Sequence, residues 1–142
     1  MNEIMVVYWS QTGNTAEMAQ AVAEGIQAAG GTAKVAEVSS VTPADLNDAQ
    51  VFALGCPAMG AEVLEESEME PFVAALEGSV SGKKIGLFGS YGWGDGQWMR
   101  DWEERMVQAG AVLAGGAGVM ANEAPDDAAL EQCRSLGKAL CE

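Results

Sequence analysis

Short apolar runs alternate with stretches of helical periodicity along the chain, and this alternation restricts the possible fold more than any other feature. Runs rich in β-branched and aromatic residues are typical of strands buried on both faces, whereas apolar residues three or four positions apart predict a helix. Strands are predicted at 4–9, 32–38, 50–56 and 83–89, and a fifth within 111–120. One helix is predicted to begin at Asn14, and two more cover 97–109 and 126–140. A turn or short helix is predicted at 43–48. Elements that alternate in this way form a parallel sheet covered by helices on both faces, so the sequence predicts an α/β fold.

The length and composition are those of one globular domain. A chain of 142 residues matches the usual size of a single domain and buries roughly 70% of the surface that the unfolded chain exposes. Hydrophobic residues make up 49% of the sequence and charged residues 20%, which is ordinary globular usage and argues against a disordered chain. We therefore expect one domain over residues 1–142.

The charge and the missing residue types exclude several classes of function. The formal net charge of −14 opposes binding to nucleic acids or to an anionic membrane. Because the sequence has no histidine, it has no Ser-His-Asp or Cys-His catalytic group and no His-ligated metal site. Three cysteines are too few for a four-thiolate cluster and a poor basis for disulfides, and no apolar run reaches the ~18 residues of a membrane span. We expect a cytoplasmic protein without metal, nucleic acid or membrane partners.

The loop after the first strand has the composition of a phosphate site. Ligands of parallel sheets bind outside the carboxyl ends of the strands, and here Ser10-Gln11-Thr12-Gly13-Asn14-Thr15 lies between a buried strand and the start of a helix. Its hydroxyl, amide and free backbone N–H groups, together with the helix dipole, favour a phosphate. Because the loop has no lysine or arginine and does not match the P-loop pattern, a monophosphate fits better than a Mg²⁺-bound triphosphate. The alternative is that its hydroxyls serve only as helix caps.

The loop after the fourth predicted strand presents a large aromatic side chain where neither a helix nor a strand could bury it. In Tyr91-Gly92-Trp93-Gly94 the tryptophan lies at a glycine-flanked turn at the edge of the predicted sheet. A planar ring system would cover it, and aromatic stacking of this kind contributes about 0.5–1.5 kcal/mol beyond the burial of its area. Trp98 and Trp102, four residues apart on the predicted helix, are more typical of core residues.

Three loops resemble those of the flavodoxin family, small electron carriers that bind flavin mononucleotide (FMN). Thr12-Gly13-Asn14-Thr15 resembles the family's phosphate loop, and 56–62 and 89–95 resemble the two flavin-ring loops of short-chain flavodoxins from anaerobes. The resemblance covers essentially the whole chain and implies a doubly wound, five-stranded parallel sheet of order 2-1-3-4-5 in three α/β/α layers. The FMN-binding residues that it implies are Ser10, Gln11, Thr12, Gly13, Asn14, Thr15, Pro57, Ala58, Met59, Gly60, Ala61, Glu62, Ser90, Tyr91, Gly92, Trp93, Gly94 and Asp95.

The resemblance also implies individual roles in the flavin-ring loops. Trp93 and Met59 would stack on opposite faces of the flavin, and Glu62 would accept a hydrogen bond from flavin N3–H. The turn that contains Gly60 would flip after one-electron reduction and present the Gly60 carbonyl to flavin N5–H, which a glycine at that turn permits. Ala61 stands where many relatives carry Asp. Taken without the resemblance, Met59 would be a core residue and Glu62 a solvated surface charge.

Acidic residues crowd the segment after the second loop. Residues 1–71 carry 11 acidic side chains and one basic side chain, and five of the acids lie within 62–70. Beside a flavin this field would oppose the negative charge of the reduced ring and steer basic patches of partner proteins toward it. The alternative is a role in solubility only.

The function that follows is a low-potential one-electron carrier without catalytic residues or substrate turnover. The resemblance implies that FMN cycles between semiquinone and hydroquinone in a monomeric protein that shuttles electrons between redox enzymes. One alternative is an FMN-dependent NAD(P)H or quinone reductase, which would need a pocket for a second ring over the flavin. Another is a flavodoxin-like activator dedicated to a single oxidoreductase.

Overall fold

Strands and helices alternate along the chain in the computed structural model, which describes residues 3–11, 13–59, 63–92 and 94–142. The strands are β1 (Glu3–Tyr8), β2 (Thr32–Glu37), β3 (Val51–Gly55), β4 (Lys84–Tyr91), β5 (Val112–Leu113) and β6 (Val119–Asn122). The helices are α1 (Asn14–Ala28), α2 (Met69–Leu76), α3 (Gln97–Gln108) and α4 (Asp127–Leu140). None of the helices in the described part of the chain is long and apolar enough to cross a membrane.

All strand pairs of the sheet are parallel, in the order β2-β1-β3-β4-β5. This confirms the predicted order, and the structure adds a sixth strand at the edge. β5 pairs with the start of β4, and β6 pairs with its carboxyl-terminal half. The two are separated by a 3₁₀ turn over Ala114–Gly116, in which Gly115 and Gly116 have φ of 71° and 85°. Because a strand requires negative φ, these glycines divide the predicted fifth strand into two short ones.

Two apolar clusters, one on each face of the sheet, form the core. α1 and α4 pack on one face together with Ile4 and Val6, while α2 and α3 pack on the other together with Val7. Successive side chains of a strand point to opposite faces, so β1 serves both clusters and the predicted three layers are confirmed. Trp98 and Trp102 are each 1% exposed within the α2/α3 cluster, as predicted from their spacing.

Helices α1 and α4 approach each other at two glycines. A Cβ at Gly25 would lie 2.0 Å from the carbonyl oxygen of Arg134, and a Cβ at Gly137 would lie 2.1 Å from the carbonyl oxygen of Val22. Both distances are far shorter than a van der Waals contact, so these positions admit no side chain at this separation of the helices. The glycines therefore set how closely α1, whose N-terminus borders the candidate site, packs on α4.

Candidate functional site

A cavity of about 400 Å³ lies at the carboxyl ends of the strands. Its lining residues come from the loops that follow β1, β3, β4 and β6, from the start of α1 and from the end of β4: Ser10, Gln11, Asn14, Thr15, Pro57, Ala58, Met59, Ser90, Tyr91, Gly92 and Glu123. All of these except Glu123 were predicted site residues. The fold thus brings the described parts of three loops, which are far apart in sequence, to one opening, as expected for a parallel sheet.

The first loop is held by a serine that contacts the start of α1. The Ser10 hydroxyl accepts hydrogen bonds from the backbone N–H of Gly13, at 3.1 Å, and of Ala16, at 3.3 Å. Gly13 has φ 95° and precedes α1 without lining the cavity. The Ser10 hydroxyl therefore stabilises the start of α1 as an acceptor, although the residue in the cap position is Gly13. Thr12 lies outside the described residues.

A buried hydroxyl pair joins the first and third loops. The Thr15 hydroxyl, on a residue that is 1% exposed, lies 3.2 Å from the hydroxyl of Ser90. Both residues line the cavity, together with the amide side chains of Gln11 and Asn14. The N-terminus of α1 contributes backbone N–H groups that have no partner within the helix and the positive end of its dipole. No lysine or arginine occurs among the described lining residues, so an anion at this end would be held by neutral donors.

The two described ends of the second loop are joined by an isolated antiparallel bridge. Met59 N–H donates to the Val63 carbonyl at 2.9 Å, and Val63 N–H donates to the Met59 carbonyl at 3.1 Å; we call this pairing the Met59–Val63 bridge. Ala58 N–H donates to the Ser90 carbonyl at 2.9 Å, which ties the loop to the end of β4. Three predicted site residues, Gly60, Ala61 and Glu62, lie outside the described residues.

The third loop contributes its first half to the cavity. Tyr91 and Gly92 line it, and the Tyr91 ring packs against Trp98 with the ring centroids 5.5 Å apart. Asp95 was predicted as a site residue, but its exposed carboxylate pairs with Arg100 on α3 at 3.0 Å, so it does not line the cavity. Gly94 does not line the cavity either, and Trp93 lies outside the described residues.

Glu123 is the lining residue that the sequence analysis missed. It follows β6, has φ 58°, and donates its backbone N–H to the Tyr91 carbonyl at 2.7 Å. Only the loops after the first, third and fourth strands were predicted to carry site residues. The same rule about strand ends would have pointed to residues 121–124 had β6 been predicted to extend to Asn122. Glu123 adds a negative charge at the rim of the cavity.

A buried carboxylate follows the Met59–Val63 bridge. Glu65 is 7% exposed and accepts hydrogen bonds from the backbone N–H groups of Ser67, Glu68 and Met69, at 2.9, 2.7 and 3.0 Å, and from the Ser67 hydroxyl. Burial raises the pKa of the Glu65 carboxyl, but these hydrogen bonds outweigh it and leave the pKa below its usual range. Glu65 is thus held as a carboxylate at the start of α2.

We expect the contribution of Glu65 to stability to be lost in acid. Because folding lowers the pKa of this carboxyl, its contribution is complete above the unfolded-chain pKa of about 4.3 and falls as the pH drops through the lower folded value. The free energy of unfolding of the native chain should exceed that of Glu65→Gln at pH 7, and the two should converge below about pH 4. Urea denaturation across this range measures the difference. Glu66→Gln, at an exposed neighbour, is the control. A difference that does not change with pH would contradict the assignment.

Comparison with known proteins gives consistent matches over nearly the whole chain. The sequence model of the family described as flavodoxin matches residues 6–137. The flavodoxin of Clostridium beijerinckii is 50% identical over 133 residues, which cover 94% of this chain and 95% of that protein. The flavodoxin of Megasphaera elsdenii is 44% identical over 136 residues, which cover 96% of both chains. The solution structure of two-electron reduced M. elsdenii flavodoxin superposes with a TM-score of 0.86 at 42% identity, covering 96% of this chain and 97% of that one.

Proposed function

We propose that FMN binds in the cavity at the strand ends of this chain, which belongs to the flavodoxin family. The protein is an FMN-binding electron carrier that serves redox partners, not an enzyme. The observation that carries this proposal is the polarity of the cavity. One end has hydroxyl and amide side chains at the N-terminus of α1, and the other has the apolar side chains of Pro57, Ala58, Met59 and Tyr91. A flavin ring on a ribityl phosphate has the same division.

The polar end would hold the phosphate. Ser10 already accepts two backbone hydrogen bonds, so its own hydroxyl proton is free to point away from the helix and into the cavity. Gln11, Asn14 and Thr15 add donors beside it, and Thr12 and Gly13 complete the loop that resembles the family motif. Since no cation lies among the described lining residues, the phosphate charge would be stabilised by hydrogen bonds and the helix dipole alone.

The apolar end would hold and orient the ring. Met59, fixed by the Met59–Val63 bridge, would cover one face, and Trp93 the other. Gly60 and Glu62 would place a carbonyl and a carboxylate at the ring edge, as the resemblance implies. When bound, FMN supplies a ring that accepts and releases single electrons. The protein's contribution is to bind and orient this ring.

The acidic field would act on both the cofactor and the partners. The net charge of −14 and Glu123 at the cavity rim disfavour additional negative charge on the ring, which lowers the potential of its last reduction step. The same field would attract basic patches of donor and acceptor proteins. We further propose that the protein works as a single-domain monomer in the cytoplasm. The free cysteines Cys56, Cys133 and Cys141 support the reducing compartment.

Anaerobic stepwise reduction of the FMN-reconstituted protein tests the carrier function. We expect two separate one-electron stages, visible as long-wavelength absorbance at half reduction, and negligible oxidation of NADPH in a separate sample. Failure to bind FMN would contradict the proposal. Rapid direct reduction by NADPH without the intermediate absorbance would assign the protein to the reductases instead.

A further inference from the structure

We propose that Cys56 and Glu65 are positioning residues that hold the two ends of the Met59–Val63 bridge and so place Met59 against the flavin. The proposal rests on the proposed function, because it assumes that the flavin ring lies on Met59. Cys56 precedes the loop and Glu65 follows it, and neither residue lines the cavity. The backbone N–H of Glu65 contacts the Sγ of Cys56.

The thiol of Cys56 connects the two ends of the loop directly. Its Sγ accepts a hydrogen bond from Glu65 N–H and donates one to the Pro57 carbonyl, both at 3.4 Å. Burial raises the pKa of the Cys56 thiol to about 12, so the proton needed for donation is present at neutral pH. The thiol therefore acts as both donor and acceptor across the base of the loop.

The backbone of Cys56 is fixed from two other elements. Its N–H donates to the Phe88 carbonyl and its carbonyl accepts from Trp98 Nε1, both at 3.1 Å. β4 comes so close here that a Cβ at Gly89 would lie 2.1 Å from the Cys56 carbonyl oxygen. Cys56 is therefore a rigid point at the end of β3, and the hydrogen bond to its Sγ transmits this rigidity to the returning segment.

Glu65 fixes the other end of the loop to α2. Its four hydrogen bonds come from the segment that starts the helix, and its own carbonyl accepts from Glu70 N–H at 2.8 Å. An unpaired buried carboxylate is costly, so these donors hold Glu65 in one conformation. Only Leu64 lies between Glu65 and Val63, the partner of Met59, so movement of Glu65 displaces the bridge.

This arrangement explains why polar groups stand at two positions that ordinary packing would fill with apolar side chains. Cys56 is fully buried, and Glu65 nearly so. If they served global stability only, their loss would weaken all regions of the fold together. If they position the loop, their loss should free the Met59–Val63 bridge while β3 stays intact, and should weaken binding of the flavin ring.

The experiment compares Cys56→Ala and Glu65→Gln with the matched controls Cys56→Ser and Glu66→Gln. Amide hydrogen exchange at Met59, Val63 and, as an internal reference, Leu54 in β3 is followed in the full-length protein with and without FMN. Dissociation constants are measured for FMN and for riboflavin, which shares the ring but lacks the phosphate. The riboflavin arm separates effects on the ring loop from effects on the phosphate loop.

We expect Glu65→Gln to speed exchange at Met59 and Val63 about tenfold more than at Leu54, where exchange should rise only by the loss of global stability. This tenfold difference corresponds to about 1.4 kcal/mol. The dissociation constants for FMN and for riboflavin should rise by the same factor. Cys56→Ala should speed exchange at Met59 and Val63 and raise both dissociation constants by about threefold, because sulfur is a weak hydrogen-bonding group. Cys56→Ser should reverse part of both changes. Glu66→Gln should change neither readout. If Glu65→Gln does not fold, Ser67→Ala, which removes one donor to the same carboxylate, takes its place.

Unchanged exchange at the bridge in both variants, with normal flavin binding, would overturn the positioning role and leave the carrier function intact. Faster exchange at the bridge without weaker riboflavin binding would also overturn it, because the bridge would then not hold the ring. Failure of the native chain to bind either flavin would refute the proposed function itself.

Discussion

Gly137→Ala is expected to lower the free energy of unfolding by about 3 kcal/mol, the upper part of the usual range for overpacking. The added Cβ would lie 2.1 Å from the Val22 carbonyl oxygen and 2.7 Å from Ile26 N. Both atoms belong to the backbone of α1 and cannot rotate away, so the two helices have to separate. The gain of alanine over glycine in helix propensity, about 1 kcal/mol, opposes this loss without cancelling it. Urea denaturation of both chains measures the difference.

Two further variants show whether the loss comes from the contact between the helices. Gly25→Ala meets the Arg134 carbonyl at 2.0 Å and should cost a similar amount. Because either substitution already forces α1 and α4 apart, the double variant should cost less than the sum of the two single ones. Gly78→Ala, at a glycine with no heavy atom within 4 Å of the added Cβ, should change stability by less than about 0.5 kcal/mol. A Gly137→Ala chain as stable as the Gly78→Ala chain would contradict the close approach.

The sequence predicted most of the fold because its signals are local. The apolar run at 4–9 and the spacing of Trp98 and Trp102 each report the environment of one element, and the order of elements then restricts the topology. The split of the edge strand was missed because the left-handed φ of Gly115 and Gly116 depends on the turn that they form. The approach of α1 to α4 was missed for a related reason, since a glycine in a helix carries no sign of what packs against it.

The candidate site was predicted by motif more than by physical pattern. Ser10 was predicted from the composition of its loop, and Met59 only by resemblance, and the structure brings both to one cavity together with Tyr91. Glu65 could not be separated from the neighbouring acids, because burial and its four donors are properties of the folded segment. The carboxylate of Asp95 pairs with Arg100, five residues further on, and Asp95 does not line the cavity, so this prediction depends on the site loop as bound.

Ser10→Ala is expected to weaken FMN binding by about 10- to 100-fold. The substitution removes the hydroxyl proposed to donate to the phosphate, and hydrogen bonds to charged groups contribute about 1.5–3 kcal/mol. It also removes the acceptor of the Gly13 and Ala16 backbone N–H groups, which loosens the loop that carries the other donors. Fluorescence titration of the flavin with the protein measures the dissociation constant.

Binding of riboflavin shows whether the weaker FMN binding of Ser10→Ala comes from a lost contact with the phosphate. Riboflavin has the same ring and no phosphate, so Ser10→Ala should change its dissociation constant by less than about threefold, because the ring contacts at Met59 and Tyr91 are untouched. Ser40→Ala is the matched control, since the Ser40 hydroxyl donates to the Glu37 carbonyl on the exposed surface and should affect neither ligand. Equal losses for FMN and riboflavin would mean that Ser10 acts on the whole cavity through the start of α1. The phosphate would then have to be held chiefly by the backbone N–H groups of the loop and the dipole of α1, which the substitution leaves in place.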